Sequence, residues 1–418
     1  MSAGPGAGEP AAARGVARPS EVARGAPGSD SSGGSLSEAL AGGDGAVRRL
    51  AGLTWAHLLN DGAANYLPGI LPAVLVSLHE PLQLAGSLVA ALTIGQALQP
   101  VVGWVADRVG GRSLIVGGLL LSSAGGALLG VAHSLVLMIL LLLLIGLGSA
   151  LFHPQALAAV RSMLHGRRGL MTSMFLVGGE IGRGIWPTIA SLVATELGLG
   201  YLWVIAVPGL VTVALLFRWA PKLPPRPRTG GAVRWAEHGR PMSLLIAYRG
   251  TRALATFGLA TFIPIMWHVR GGSPVAGASI ITTMIVVGVV GNLWGGHLAD
   301  RLGRRPVLVA SAVATTILIL PVVHMRGPAV WVAAGLLGIA LFSTASTTVL
   351  IGQDMFPENR SMGSGIALGL ANGIGALLVL VIGFLVSDRD VVTVFWLLAA
   401  LSLASVLAAM ALPKSLMR

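Results

Sequence analysis

The stretch Gly103-Trp-Val-Ala-Asp107-Arg108-Val-Gly110-Gly-Arg112 returns 193 positions later as Gly296-His-Leu-Ala-Asp300-Arg301-Leu-Gly303-Arg304-Arg305. Both copies read G-x-x-x-D-R-x-G-x-R, and each lies between two long apolar runs. A short polar loop joining two such runs is a membrane hairpin. Two matching hairpins at this spacing imply an internally duplicated membrane protein.

Composition agrees. Hydrophobic residues make up 54% of the 418 and charged residues 11%, against about 25% charged in a soluble domain. Mean hydropathy is +0.81, so most of the chain must face lipid. There is no cysteine, which excludes disulfides and thiolate metal sites. The net charge of +12 sits in short loops between apolar runs. It reads as a topology signal, not as a nucleic-acid-binding face, because no soluble domain is present to carry one. No Ser–His–Asp set, metal-ligand cluster or phosphate loop is visible, so neither catalytic residues nor a metal site are expected.

Residues 1–45 are rich in Gly, Ala, Pro and Ser and lack an apolar run. Such a segment has too little to bury and is expected to be a disordered tail. It lacks the continuous apolar core of a signal peptide. Glu9, Glu21, Asp30, Glu38 and Asp44 argue against a transit peptide.

Apolar runs of about 20 residues mark membrane helices. Twelve are predicted, at 50–78, 84–106, 113–132, 135–160, 169–194, 199–219, 242–267, 275–299, 306–325, 328–352, 362–386 and 391–412. With the N-terminus inside, the inner loops and flanks collect nineteen Lys and Arg and the outer loops only Arg270, Arg326 and Arg389. This bias places both termini in the cytoplasm. The longest inner loop carries Pro221, Pro224, Pro225 and Pro227 among basic residues. It divides the chain into a six-helix bundle at 46–219, a linker at 220–241 and a second bundle at 242–418. The repeated motif falls between the second and third spans of each half.

An ionisable side chain inside a span costs several kcal/mol and is a functional candidate by default. The first span carries His57, Asn60, Asp61 and Asn65. His57 and Asp61 are four apart and share a helix face. The fourth span carries His153, Pro154 and Gln155, and the fifth carries Glu180 and Arg183 three apart. The seventh carries Arg249 and Arg252, and Asn292 and Asn372 follow in the second half. Glu180, near mid-span, is the leading candidate for a proton carrier, with Asp61 second. His57 and His153 are candidates for the same relay, since histidine titrates near neutral pH. Arg183 and Arg252 would give a central cavity a positive lining suited to phosphonate, phosphate or carboxylate groups. Arg249, one turn from the inner end, reads as able to snorkel. Asn60, Gln155, Trp186, Asn292 and Asn372 complete the expected cargo-binding set.

Twelve spans, a central linker and the doubled motif closely resemble the major facilitator superfamily across about 50–412. The resemblance implies an all-α membrane protein of two pseudo-symmetric six-helix bundles that rock about one cavity. It also makes Asp107, Arg108, Arg112, Asp300, Arg301 and Arg304 cytoplasmic gate residues. Within that superfamily, His57-Leu-Leu-Asn60-Asp61, Leu151-Phe152-His153-Pro154, Val177-Gly178-Gly179 with Gly182 and Pro187, and Thr261-Phe262-Ile263-Pro264 resemble the fosmidomycin-resistance group of drug exporters. That group commonly has glutamate at the position of Gln155, asparagine at that of Glu180, a small residue at that of Arg183 and glycine at that of Trp186. The acid has moved from the fourth span to the fifth and gained an arginine beside it, which implies a relocated proton site and a changed cargo.

The reading is therefore a secondary transporter: a proton-coupled antiporter exporting a small polar or anionic compound, such as a drug or metabolite, across a bacterial inner membrane. Its expected partners are the cargo, the proton and the bilayer. It is expected to need no cofactor, to bind no nucleic acid and to work as a monomer. An importer or uniporter of the same fold is the first alternative. A membrane receptor or membrane enzyme is the second.

Overall fold

A computed structural model describes residues 44–99, 101–102, 111–163, 168–220, 235–356, 363, 365–385 and 390–417, together with Met1. The expected tail up to residue 43, Asp107, Arg108 and most of the expected linker lie outside the described residues. Those described are helical, without strands.

The helices fall into the twelve expected spans. The first is split into α1 (Asp44–Asn65) and α2 (Leu67–Leu78). The next six are α3 (Ala85–Ala97), α4 (Arg112–Leu129), α5 (Leu135–Met163), α6 (Arg168–Glu196), α7 (Trp203–Trp219) and α8 (Trp235–Val269). Next come α9 (Pro274–Leu302) and α10 (Arg304–His324). The tenth span is again split, into α11 (Ala329–Phe342) and α12 (Ala345–Met355). The eleventh runs through a π-helical turn, Ile366–Leu370, into α13 (Ala371–Phe384), and the twelfth is α14 (Val391–Ala411). α1 starts two residues inside the stretch expected as tail, and α8 starts within the stretch expected as linker.

Local chemistry sets the joints. Pro68 lacks the N–H that would continue α1, so the first span restarts there. Ser273 caps α9 by accepting from the Ala276 amide, with Pro274 at its first position. Gly303 turns α9 into α10 at φ 85°, a conformation that side-chain-bearing residues rarely adopt. This accounts for the second glycine of the repeated motif in the second copy.

Among the described residues, eight spans are long and apolar enough to cross a membrane by composition, and the second and eleventh have shorter apolar helices. The remaining two are the first and the fifth, which carry His57, Asn60, Asp61, Glu180 and Arg183. These two pack against each other along α1 and α6. A Cβ on Gly178 or Gly182 would strike the backbone of Thr54 or Leu58, so the two helices meet backbone to backbone.

The halves join where α6 packs on α9 and α3 on α13. A half-turn of the molecule exchanges these two contacts, as a duplicated chain requires. Thr188 and Thr282 hydroxyls meet at 2.6 Å across the first contact, and Thr282 also donates to the Gly184 carbonyl at 2.6 Å. α2 reaches α8 and α9 of the other half, whereas α1 packs mainly on α4, α5, α6 and α7 of its own. Among the described residues, the first span therefore crosses to the other half mainly at the end away from the chain termini.

Candidate functional site

Between the halves lies a cavity of about 220 Å³. His57, Asp61, His153, Glu180 and Arg183 line it from the first half, and Arg249, Arg252 and Asn372 from the second. It extends towards the end that holds the termini through Gln96, Gln99 and Gly369.

Asp61 is the hub. It is 1% exposed, yet three basic groups from three spans converge on its carboxylate. His153 Nε2 lies 2.9 Å from Oδ1, Arg183 Nη2 3.1 Å from Oδ2, and His57 Nε2 3.6 Å from Oδ2. Asn60 Nδ2 donates to Oδ1 at 3.3 Å, and Asn60 Oδ1 accepts from Ser122 at 2.8 Å. Arg183 also reaches both oxygens of Glu180 at 3.4 Å. One guanidinium is thus shared by two carboxylates, with Asp61 holding it more tightly.

The hydrogen positions follow from the partners. His57 Nδ1 lies 2.8 Å from the Phe175 carbonyl, and His153 Nδ1 2.8 Å from the Ser149 carbonyl. A carbonyl only accepts, so both Nδ1 atoms carry hydrogen. The two Nε2 atoms then sit 3.2 Å apart and both face the carboxylate. With neutral rings, every atom at this meeting point would be an acceptor. One added proton, on His153 Nε2 and donated to Asp61, turns the clash into a charge-assisted bond. The geometry of the trio accommodates one added proton. Two imidazoles and a carboxylate are also metal-ligand types, and their donor atoms lie within 4.8 Å of one another. The Arg183 guanidinium on the same carboxylate places a fixed positive charge beside that point, which suits a proton better than a divalent cation.

The packing leaves the trio no slack. The His57 ring stacks on Phe175 with centroids 4.2 Å apart. A Cβ on Gly179 would run into the His57 ring, so glycine is required there for close approach. The Trp186 ring lies over Gly62, filling the groove between the first and fifth spans.

The second half uses its charges differently. Arg252 is 3% exposed. Its terminal nitrogens donate to the Ala340 carbonyl at 2.8 Å, to the Leu341 carbonyl, to Thr315 Oγ1 at 2.9 Å and to the Ser311 carbonyl at 3.4 Å. The Ala340 and Leu341 carbonyls are those that the amides of residues 344 and 345 would serve in an unbroken helix. Arg252 therefore stands in for the missing backbone donors where α11 ends. Asn292 accepts from the Ser346 amide at 3.3 Å, at the start of α12. Tyr248 bonds Thr344 Oγ1 at 3.2 Å between them. Arg249 donates only Nε, to the Ala367 carbonyl in the π-helical turn at 3.1 Å. Its two terminal nitrogens have no partner among the described residues.

Of the residues expected at the site, His57, Asp61, His153, Glu180 and Arg183 come together, with Arg252 and Asn372 also on the cavity wall. Asn60, Gln155, Trp186 and Asn292 do not line it. Arg249 does, and so does Ser149, which orients His153. The clue to Arg249 was its place one turn before Arg252.

The Major Facilitator Superfamily model matches residues 53–250 and again 245–416. The chain belongs to the major facilitator superfamily. It is a multi-pass membrane transporter. An uncharacterised MFS-type transporter of Bacillus subtilis, YfnC, is 28% identical over 370 residues, covering 84% of this chain and 90% of that one. The fosmidomycin resistance protein of Escherichia coli is 25% identical over 378 residues, covering 86% and 91%. The crystal structure of the nucleoside transporter NupG has the same fold, with TM-score 0.74 at 16% identity over 88% of this chain and all of that one. So does a bacterial homologue of the lysosomal transporter Spinster in an inward-facing and occupied conformation, with TM-score 0.69 at 15% identity over 89% and 98%.

In this member of the superfamily the second repeated motif ties its own half together. Arg304 pairs with Asp354 at the end of α12 at 2.7 Å and donates to the Leu416 carbonyl at 3.1 Å. Arg305 donates to the Leu412 carbonyl. Asp300 and Arg301 are exposed. From the first motif, Arg112 stacks over the Phe217 ring at 5.1 Å.

Proposed function

We propose that the protein is a proton-coupled antiporter that exports a small polar or anionic organic compound from a bacterial cytoplasm, with both termini inside. One observation carries the reading: a buried carboxylate on the cavity wall, held by two imidazoles whose hydrogen positions leave room for one more proton. His153 has a side chain 23% exposed against 2% for Asp61, so the proton enters from the cavity through His153. Protonation weakens the hold of Asp61 on Arg183, which then turns to Glu180. Glu180, with a side chain 20% exposed, is the accessible end of this relay. Rocking of the halves carries the loaded site from one side to the other. In this reading the structure is open to the cytoplasm, because the halves cross at the end away from the termini. The fosmidomycin resistance protein among its relatives supports the outward direction.

The test is growth protection in pump-deficient bacteria against a panel of fosmidomycin, carboxylate antibiotics, cationic dyes and metal chelators. Cells would carry wild type, D61N, E180Q or empty vector. Protection by wild type that disappears in D61N is the expected outcome. Equal protection by D61N at every pH would remove the coupling site. Sensitisation, instead of protection, by the wild type would mean import.

A further inference from the structure

The acids of the cavity and its arginines without an acid partner fall on opposite walls. Both acids among its described lining residues, Asp61 and Glu180, belong to the first half. Arg249 and Arg252, the arginines with no acid paired to them among the described residues, belong to the second. Arg252 spends its terminal nitrogens on four protein oxygens. Arg249 keeps both of its own. On the opposite wall Glu180 has only the shared Arg183 as a hydrogen-bond partner among the described residues, by two long contacts of 3.4 Å, and it acts on Arg249 through charge alone. The site thus offers one free anion-binding fork and one weakly engaged carboxylate, facing each other.

The sign of the coupling narrows the cargo further, and this step rests on the antiport reading above. A purely anionic cargo gains from every proton added to the Asp61 trio, because the added charge is opposite to its own. Proton and anion would then load together, which is co-transport. Exchange needs a cargo group that takes the place of the proton, and only a cation or strong hydrogen-bond donor does that. We infer that the cargo is bipolar. Its anionic group is a carboxylate or similar oxyanion bound by the Arg249 fork. Its cationic group is an ammonium bound by Glu180 and, with the proton gone, by the Asp61 side. The cavity volume lies below the range of about 300–1,000 Å³ usual for drug-sized ligands, so the bipolar cargo is small.

Three probes of matched length decide the matter: 4-aminobutyrate, butyrate and butylamine, each titrated into purified wild type, R249Q, R249K and E180Q at constant ionic strength. Binding is read from the shift in unfolding temperature. The bipolar probe is expected to bind at least about tenfold more tightly than either singly charged one, since each end adds a charge-assisted bond. R249Q is expected to lose that advantage and to treat 4-aminobutyrate like butylamine. E180Q is expected to treat it like butyrate. R249K, which keeps the charge, should retain part of the preference and so separates a lost contact from a lost fold. Equal or tighter binding of butyrate or butylamine, a preference unchanged in R249Q, or no response to any probe would each overturn the inference. If 4-aminobutyrate binds as described but no variant or pH gradient alters transport, the antiport reading falls and this one stands. If the growth panel shows D61-dependent export of a singly charged compound only, the reverse holds.

Discussion

Asp61 is a buried anion whose counter-charges come from three different spans, and the variants around it are expected to behave as a set. R183Q strands the carboxylate on one side. Breaking a fully buried pair costs about 3–5 kcal/mol, and the cost here should be smaller because the Arg183 side chain is 33% exposed. D61N/R183Q removes the charge along with its partner, so its unfolding temperature should recover towards wild type while transport stays lost. A double variant no more stable than R183Q would show that the ion pair contributes nothing to the fold. Gly179 gives a second handle. G179A forces its methyl into the His57 ring, and overpacking of this kind costs about 1–3 kcal/mol. It should also tilt His57 away from the Phe175 carbonyl, which nitrogen-15 shifts of the labelled histidine would report. Unchanged shifts would mean that the fifth span moves aside instead.

At the scale of a helix, the break in the tenth span is the element most dependent on distant side chains. Arg252 and Asn292 serve backbone groups that a continuous helix would serve itself, and Tyr248 bonds the Thr344 hydroxyl between them. R252Q cannot supply all four bonds; the Ala340 carbonyl keeps the Ser311 and Ser343 hydroxyls, but the Leu341 carbonyl loses its side-chain donor, and a stranded buried carbonyl costs about 1–3 kcal/mol. Faster amide exchange at 343–348, with a lowered unfolding temperature, is the expected result. Exchange as slow as in wild type would mean that the break needs no brace. This element also marks where reading the chain as text stops. The doubled motif, loop charges and apolar runs were enough for twelve spans, and the four-residue spacing put His57 beside Asp61. Spacing along one helix says nothing about which face another helix turns towards it. The convergence of His153 and Arg183 on Asp61 was therefore not readable. For the same reason Arg252, Asn292 and Trp186 were expected to bind cargo, whereas Arg252, though on the cavity wall, and Asn292 bond backbone groups at the break and Trp186 packs on Gly62. Glu180 stood out because it is mid-span, and the structure puts the more deeply held carboxylate one helix away.

At the scale of the whole molecule, the proposed rocking requires the halves to part where they now meet. The chain has no cysteine, so T188C/T282C introduces a single possible crosslink at a point where the native hydroxyls are 2.6 Å apart. Oxidation is expected to form the disulfide and stop transport, and a reductant to restore it. Full transport by the crosslinked protein would exclude rocking at this seam. The close contact of the first and fifth spans has a consequence for the history of such a protein. Gly178, Gly179 and Gly182 admit no larger side chain, so the seam that encloses the trio has few permissible variants. Across the cavity, Thr256, Phe257, Ala260 and Asn372 line the opposite wall without any bond to that trio. The seam is fixed by packing, and these four positions are not. Laboratory selection for a new cargo is expected to write its substitutions at those four positions before it touches the seam.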